Sequence, residues 1–525
     1  MIGVLEIPMI LGMEAASVNV TEETTVGKAL HELMDRIKAA VEFVTKSAGE
    51  GTSLYDVEQG VLGQVLGIGH KLLETAIQLQ GNGDLGATCT TSDNRVLRRS
   101  QELHTRELRT IFGQHEISQY VYREYENRKI ELRPIDARLG LSPRVCSQLL
   151  EEFTQMFCVE NAFGQAARNF QTVFRQSISV DTLEAVSRKM GDMAKEYSDQ
   201  LPVPPREAEG EILVTTLDGK GVPLIRESET ETEPVKAFQS RRLRPGDRRI
   251  ATLAGAYSVD RHERTPEQIL AALFRDPLPK DAKTPRPKPQ EKHLSVHFPE
   301  QYEDGEAQVS STGALEACSW LSSQVTARRK PRQPLLLLID GDHRLWDTAN
   351  EHLPADRIEI LDIVHVSAYV WEAAGMLCSQ ERARESFTRT RLRLILQGRV
   401  KSVIRGLRYL ATARNLRGDA AQRIATIANY LDAHAKRMRY HIYLAAGYPI
   451  ATGVIEGACR HVVKDRMERT GMRWTLVAAK AMLNLRAVSA SGHWDDFHTT
   501  RRQKEIERFH PHRAALKEYL PTLSS

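Results

Sequence analysis

The sequence predicts a multidomain α/β protein: a mainly α N-terminal region, then a mixed sheet, then an all-helical insertion. Three observations carry this. Apolar positions recur at helical spacing from about residue 24 to 80, from 143 to 201 and from 366 to 447. Between 212 and 366 the chain carries short apolar runs of strand length, separated by helical segments. After the last helical stretch comes "GVIEGACRHVVKDRMERTGMRW" (453–474), with one Glu near its head and a row of cations behind it.

Taken in order, "TVGKALHELMDRIKAAVEFVTKSA" is an amphipathic helix and "GVLGQVLGIGHKLLETAIQLQG" predicts a second. "GNGDLGATCTTSDN" reads as a loop. The segment 111–142 alternates on either side of Glu126-Asn127, which predicts a small hairpin with Tyr120, Tyr122 and Tyr125 on one face. "ENAFGQAARNFQTVFRQSISVDTLEAVSRKMGDMAKEYS" predicts helix, short turn, helix. Ser179 suits the N-cap and Asp181 the first turn of the second helix. That spacing fits a helix-turn-helix offering Arg188 and Lys189 to DNA. It fits equally any two packed helices with a short connection.

"LPVPPREAEGE" is a proline-rich linker, and the chain changes character after it. "EILVTTLDGKGVPLIRE" predicts a hairpin turning at Gly219 to Gly221, and "RRIATLAGAYSVD" a third strand. "TPEQILAALF" starts a helix, and "RDPLPKDAKTPRPKPQEK" reads as a flexible Pro/Lys-rich loop. "GALEACSWLSSQVTARR" is a helix and "QPLLLLID" a central strand. "RLWDTANEHL" is a helix and "RIEILDIVH" a strand. The order is three strands, helix, strand, helix, strand.

The 525 residues suggest about three or four domains. The predicted divisions are 1–100 helical, 101–205 hairpin plus helix-turn-helix, 206–365 catalytic-core strands, 366–447 helical insertion, 448–495 Glu-bearing helix and 496–525 tail. Lys+Arg 72 against Asp+Glu 68 leaves +4, so the distribution of charge is more informative than its total. None of the six cysteines forms a C-x-x-C pair, which excludes a zinc ribbon and suits free thiols in a reducing compartment. "MIGVLEIPMILGMEAASVNV" lacks a basic n-region and is broken by Glu6 and Pro8, against a signal peptide or membrane span. The expected location is the cytoplasm.

Asp218 in "ILVTTLD" and Asp340 in "LLLLID" end apolar strands, and each is followed by Gly. Strand C-terminal edges are where α/β folds place ligands. Two adjacent carboxylates repel unless a cation lies between them, and oxygen-only ligands suit Mg²⁺ or Mn²⁺. Glu456 is the candidate third acid, with Gly453 and Gly457 allowing its helix to pack closely on a sheet. Singly, each acid also suits a plain structural role: a turn residue for each Asp, an Arg460 pair for Glu456.

The order of elements and acids resembles the RNase H-like DDE transposases. "LDGKGVPL", "IDGDHRLW" with "ILDIVHVSAYVW", and "GYPIATGVIEGACRHVVKDRMERTGMRW" with "AMLNLRAVSASGHWDDF" are similar to ISKra-type insertion-sequence transposases, over roughly the last 320 residues. The resemblance implies an RNase H-like sheet and a catalytic triad of Asp218, Asp340 and Glu456 holding two Mg²⁺ or Mn²⁺. It implies double-stranded DNA partners (element ends and target), a dimer or larger synaptic complex, and a place at the bacterial nucleoid. Asp362-Ile-Val-His365 matches the C/D-x-x-H pattern of Mutator-like transposases. His365 there would contact phosphate, orient an acid, or simply cap its helix. Relatives often carry a cysteine-rich knuckle before an "LDERLGL"-like segment. "REYENRKIELRPIDARLGL" has no cysteine, so no zinc is expected.

The stretch 388–417 is strongly basic and includes Arg391, Arg399, Lys401, Arg405 and Arg408. Few acids interleave, so pairing within the stretch cannot absorb the charge, and a DNA-contacting face is expected. Arg460, Lys464, Arg466, Arg469 and Arg473 would hold the strand being cut. Trp371 and Trp474 suit either stacking on a flipped base near the cut or core packing, and core packing is the preferred reading for both. The rival readings are an RNase H-like nuclease without strand transfer and a domesticated, non-catalytic DNA-binding protein.

Overall fold

The apolar stripes near the N-terminus close into α1 (Thr25–Glu50) and α2 (Leu54–Gln78), with Ser53 capping α2 through the Asp56 N–H. The structure, a computed structural model, describes residues 25–225 apart from 92, then 248–277, 285–304, 307–469, 472–517, 519 and 521. The N-terminal segment weighed as a leader therefore lies outside the described residues. Two units emerge, residues 1–186 with 498–525, and residues 187–497.

In the first unit, β1 (Thr88–Thr90) forms inside the segment expected to be loop. It pairs with β2 (Val96–Arg99), while β3 (His104–Thr110) and β4 (Gly113–Gln119) make the hairpin. The hairpin turns at residues 111–112, not at Glu126-Asn127. Thr110 Oγ1 accepts the Phe112 N–H, and Gly113 takes φ 130°, which together close the tight turn. β5 (Tyr122–Arg123) joins β2 instead. The three tyrosines do not share a face: Tyr122 is fully buried and Tyr125 is exposed. Then follow α3 (Pro134–Leu139), α4 (Gln148–Glu160) and α5 (Phe163–Phe174), and α6 (Val180–Asp199) starts in this unit and continues into the second. Ser179 accepts the Thr182 N–H at 3.1 Å, the N-cap bond expected of it.

In the second unit, β6 (Ile212–Pro223) runs straight through Gly219 to Gly221. It pairs antiparallel with β7 (Arg248–Val259) along its whole length, from Ile212↔Val259 to Pro223↔Arg248. The predicted turn at those glycines is therefore wrong. The backbone groups there are satisfied by β7, which no local window reveals. After α7 (Pro266–Phe274), with its Thr265–Gln268 capping box, the third strand is β8 (Gln290–His297). It starts in the tail of the predicted Pro/Lys-rich loop, of which 278–284 lie outside the described residues. A small hairpin, β9 (Glu300–Asp304) and β10 (Ala307–Ser311), precedes α8 (Gly313–Arg328).

Next come β11 (Leu335–Ile339), α9 (His343–His352) and β12 (Ile358–Leu361). The protein is thus mixed α/β, with one five-stranded mixed sheet of order β12-β11-β6-β7-β8. β7 is antiparallel to both β6 and β8, and β11 and β12 run parallel to β6. Every residue of β11 is at most 1% exposed, as a strand covered on both faces requires.

The helical stretch is α10 (Ile363–Leu377), α11 (Glu381–Leu396), α12 (Val400–Ala413), α13 (Gly418–Ala433) and α14 (Tyr440–Ala445). It shares one apolar core with the sheet. The Glu-bearing segment is α15 (Gly453–Ala458), a π-helical turn (Cys459–Lys464) and α16 (Asp465–Met467). α17 (Leu476–Ser491) and α18 (Trp494–Phe509) follow, α18 running from the second unit into the first, and a short 3-10 turn spans Arg513–Leu516. Among the described residues no helix is long and apolar enough to cross a membrane.

Candidate active site

Because β11 is parallel to both β6 and β12, the residues that leave all three strands collect at one sheet edge. Asp218 lies on β6 just past its last pair with β11, Thr215↔Leu337. Asp340 directly follows β11, and Asp362 directly follows β12. Asp218 is inside a strand and not at its end, because β6 continues to Pro223.

Backbone bonds then bring the distant Glu segment to the same edge. The Asp362 N–H donates to Ile339 O at 3.1 Å, and the Ile363 N–H to Ile450 O at 3.0 Å. Asp362 is fully buried and caps α10. Its Oδ1 accepts the Val364 N–H at 3.1 Å and the Thr452 N–H at 3.2 Å. The Glu456 N–H in turn donates to Thr452 O at 2.9 Å, so the cap residue of one helix sets the start of the next. α15 rests on the sheet through buried Ile455, which approaches Gly255 of β7. The glycines credited with close packing do not do it: a β-carbon at Gly453 or Gly457 would meet nothing within 4 Å.

His365, one turn into α10, stands among the acids. Its Nδ1 is 2.8 Å from Asp362 Oδ2 and 3.4 Å from Glu456 Oε1, and its Nε2 is 4.0 Å from Asp340 Oδ2. Asp362, His365 and Glu456 present ligand atoms within 4.8 Å of one another. Burial pushes the Asp218 carboxyl above its usual range and the Asp340 charge adds to this, while the Cys459 thiol and the Gly219 N–H oppose it. Glu456 is raised by burial and by the charge of Asp362, with His365 opposing. Asp362 is held low against its burial by the hydrogen bonds of His365 and Val364. The Asp362 hydrogen bond and the charges of Asp362, Asp340 and Glu456 overcome burial to lift His365 to about 9.

A raised histidine pKa favours the folded state fully below the unfolded value near 6.5, and the contribution fades as pH rises through about 9. In metal-free protein, ¹³C-histidine NMR should show His365 titrating near pH 9. Mg²⁺ should move that midpoint down by replacing the imidazolium as counter-charge. A midpoint at or below 6.5 without metal would mean the acids do not surround it.

Oxygen donors crowded until they repel, around one protonatable imidazole, fit a hard divalent cation. Asp218, Asp340 and Glu456 are the candidate donors, with Asp218 sharing its carboxylate with the Cys459 thiol and the Gly219 N–H. Asp362 fits less well, since His365, Val364 and Thr452 already use both its oxygens.

Two features escaped the sequence reading. Cys459 is 4% exposed and its thiol donates to Asp218. Its i+3 spacing from Glu456 was the one available clue. The π turn that presents it leaves carbonyls short of partners, and buried Arg486 takes two of them, Val462 O at 2.8 Å and His461 O.

The basic residues divide. Arg399 and Arg405 are exposed and form no ion pair among the described residues, and Lys464 is exposed. Arg188, Lys189, Arg469 and Arg473 are exposed too, and Arg460 lies 3.9 Å from Asp465. Arg466 does not face outward: it is fully buried, with its guanidinium 4.8 Å from the Trp474 ring centroid. Arg391 is half-buried over the Phe387 ring at 3.7 Å. Lys401 and Arg408 pair with Asp432 of α13, at 2.5 and 3.5 Å. Acids from neighbouring elements thus absorb charge that the linear window left unpaired. Trp474 is core, as expected, whereas Trp371 is 39% exposed. No protein-family model matches the chain, and no curated protein sequence matches it.

Proposed function

We propose that this chain is a DNA transposase of the DDE class, similar to the ISKra type, with an RNase H-like catalytic core. The observation that supports it most is the gathering of Asp218, Asp340 and Glu456 at one sheet edge around His365. The strand order β12-β11-β6-β7-β8, with three antiparallel strands followed by two parallel ones, suits an RNase H-like sheet. In this reading Asp218, Asp340 and Glu456 hold two Mg²⁺ or Mn²⁺. Bound there, such ions supply charge neutralisation at phosphorus and an activated water.

His365 orients Glu456 and offers a positive charge toward phosphate. Water attacks the phosphodiester at an element end, and the bond to the 3′ oxygen breaks to free a 3′-OH. That hydroxyl then attacks a target phosphodiester, displacing another 3′ oxygen. No covalent protein–DNA intermediate is needed. Exposed Arg399, Arg405, Arg460 and Lys464 neutralise backbone phosphates, and α6 with Arg188 and Lys189 reads element ends. A homodimer or larger synaptic complex would hold both ends.

The test supplies pre-cut duplexes carrying the sequences that flank this reading frame, with a target plasmid and Mg²⁺. Joined products are expected. Cleavage without joining would favour the nuclease reading. Binding with neither would favour a non-catalytic DNA-binding protein.

A further inference from the structure

Tyr430 lies on α13, in the helical insertion, 90 residues from Asp340 in sequence. Its hydroxyl oxygen is buried and has no hydrogen-bond partner among the described residues. Buried hydroxyls are ordinarily paired, so an orphan points to a partner that arrives later. The side chain is pinned where it stands. Its ring centroid is 4.2 Å from that of Tyr369 and 4.8 Å from that of His434. A β-carbon at Gly341 would overlap both the ring and the hydroxyl, so glycine after Asp340 is what admits Tyr430 here.

Asp340 shows the complementary deficit. Its Oδ1 accepts the Asp342 N–H at 3.0 Å, while among the described residues Oδ2 accepts no hydrogen bond and has only His365 Nε2, at 4.0 Å, within ion-pair reach. Two unpartnered polar atoms of opposite role thus belong to adjoining groups. Burial, Tyr369 and the charges of Asp340 and Asp362 raise the phenol pKa, so the hydroxyl keeps its proton and can donate.

We propose that Tyr430 is a positioning residue for Asp340, its hydroxyl donating to the Asp340 carboxylate once a divalent cation draws that carboxylate into its ligand geometry. This rests on the metal-dependent reading above. Carboxylate ligands are generally held by such outer hydrogen bonds, and losing one weakens metal binding or activity roughly 10- to 100-fold.

The test compares full-length wild type, Tyr430→Phe and Asp340→Asn by Mn²⁺ titration and by thermal midpoint in chelator. Tyr430→Phe is expected to weaken Mn²⁺ binding roughly 10- to 100-fold. Its metal-free midpoint is expected to be equal to or above wild type, because an orphan hydroxyl has been removed. A purely structural tyrosine would not give that combination. Wild-type Mn²⁺ affinity in Tyr430→Phe would overturn the proposal, and so would a lower metal-free midpoint, which would show the hydroxyl already partnered. If Asp340→Asn binds Mn²⁺ as tightly as wild type, the metal-site reading itself fails and the role of Tyr430 falls with it.

Discussion

Asp340→Asn and Asp218→Asn should each lower Mg²⁺-dependent DNA cleavage by on the order of 10³-fold or more, the loss of about 4 kcal/mol of transition-state stabilisation. Each change keeps the shape of the side chain and removes the charge that would hold the cation. The fold should survive. The Asp218 carboxyl is raised by burial first and by Asp340 second. A carboxylate with a raised folded-state pKa costs stability as pH climbs from its unfolded value, near 3.8, through the folded one, so at pH 7 the cost is present. Asn removes it, and the metal-free melting temperature of Asp218→Asn should match or exceed wild type. Loss of activity with gain of stability is the pattern of a site strained for function. Equal cleavage by Asp340→Asn and wild type would end the transposase reading.

Arg328→Ala should cost about 3–5 kcal/mol of folding stability. Arg328 and Glu209 pair at 2.6 Å with side chains only 1% and 2% exposed. The guanidinium also donates to Ala256 O of β7 and to Glu291 O of β8, and Lys330 Nζ donates to Glu209 O. It therefore clamps α8 across two strands of the main sheet. Truncation leaves a buried carboxylate without its partner and takes one donor from each of the two carbonyls. Glu209→Gln with Arg328→Met should recover much of the loss, since the pair's net value is small compared with the cost of breaking it. Urea unfolding followed by tryptophan fluorescence would measure both. A loss below about 1 kcal/mol for Arg328→Ala would place the pair in the range of solvated surface bridges.

Legibility in the sequence followed the range of the interaction. α1, α2, α7, α8 and α9 are written in local periodicity and caps: Thr265 with Gln268, Thr312 with Leu315. β11 is legible because five consecutive apolar residues of strand length can only be a buried strand or a short buried helix turn. The turn at Gly219 to Gly221 failed because Gly after Asp signals a turn only when no partner strand is at hand, and β7 is. β8 was hidden behind prolines that shape only the segment before it.

The chain order of its acids, Asp218, Asp340 and Glu456, was readable from the linear sequence, because each stands beside a strand or helix that announces itself locally. Tertiary structure alone decided that β6, β11 and β12 run the same way, that Asp362 laces Thr452 to the sheet edge, that Cys459 reaches Asp218 and that Tyr430 stands against Gly341. It also turned Arg466 inward and paired Lys401 with Asp432. The reason is one of distance along the chain. Periodicity, caps and turn chemistry act over a few residues, whereas strand direction, burial of a charge and the partner of a hydroxyl depend on groups tens to hundreds of residues away.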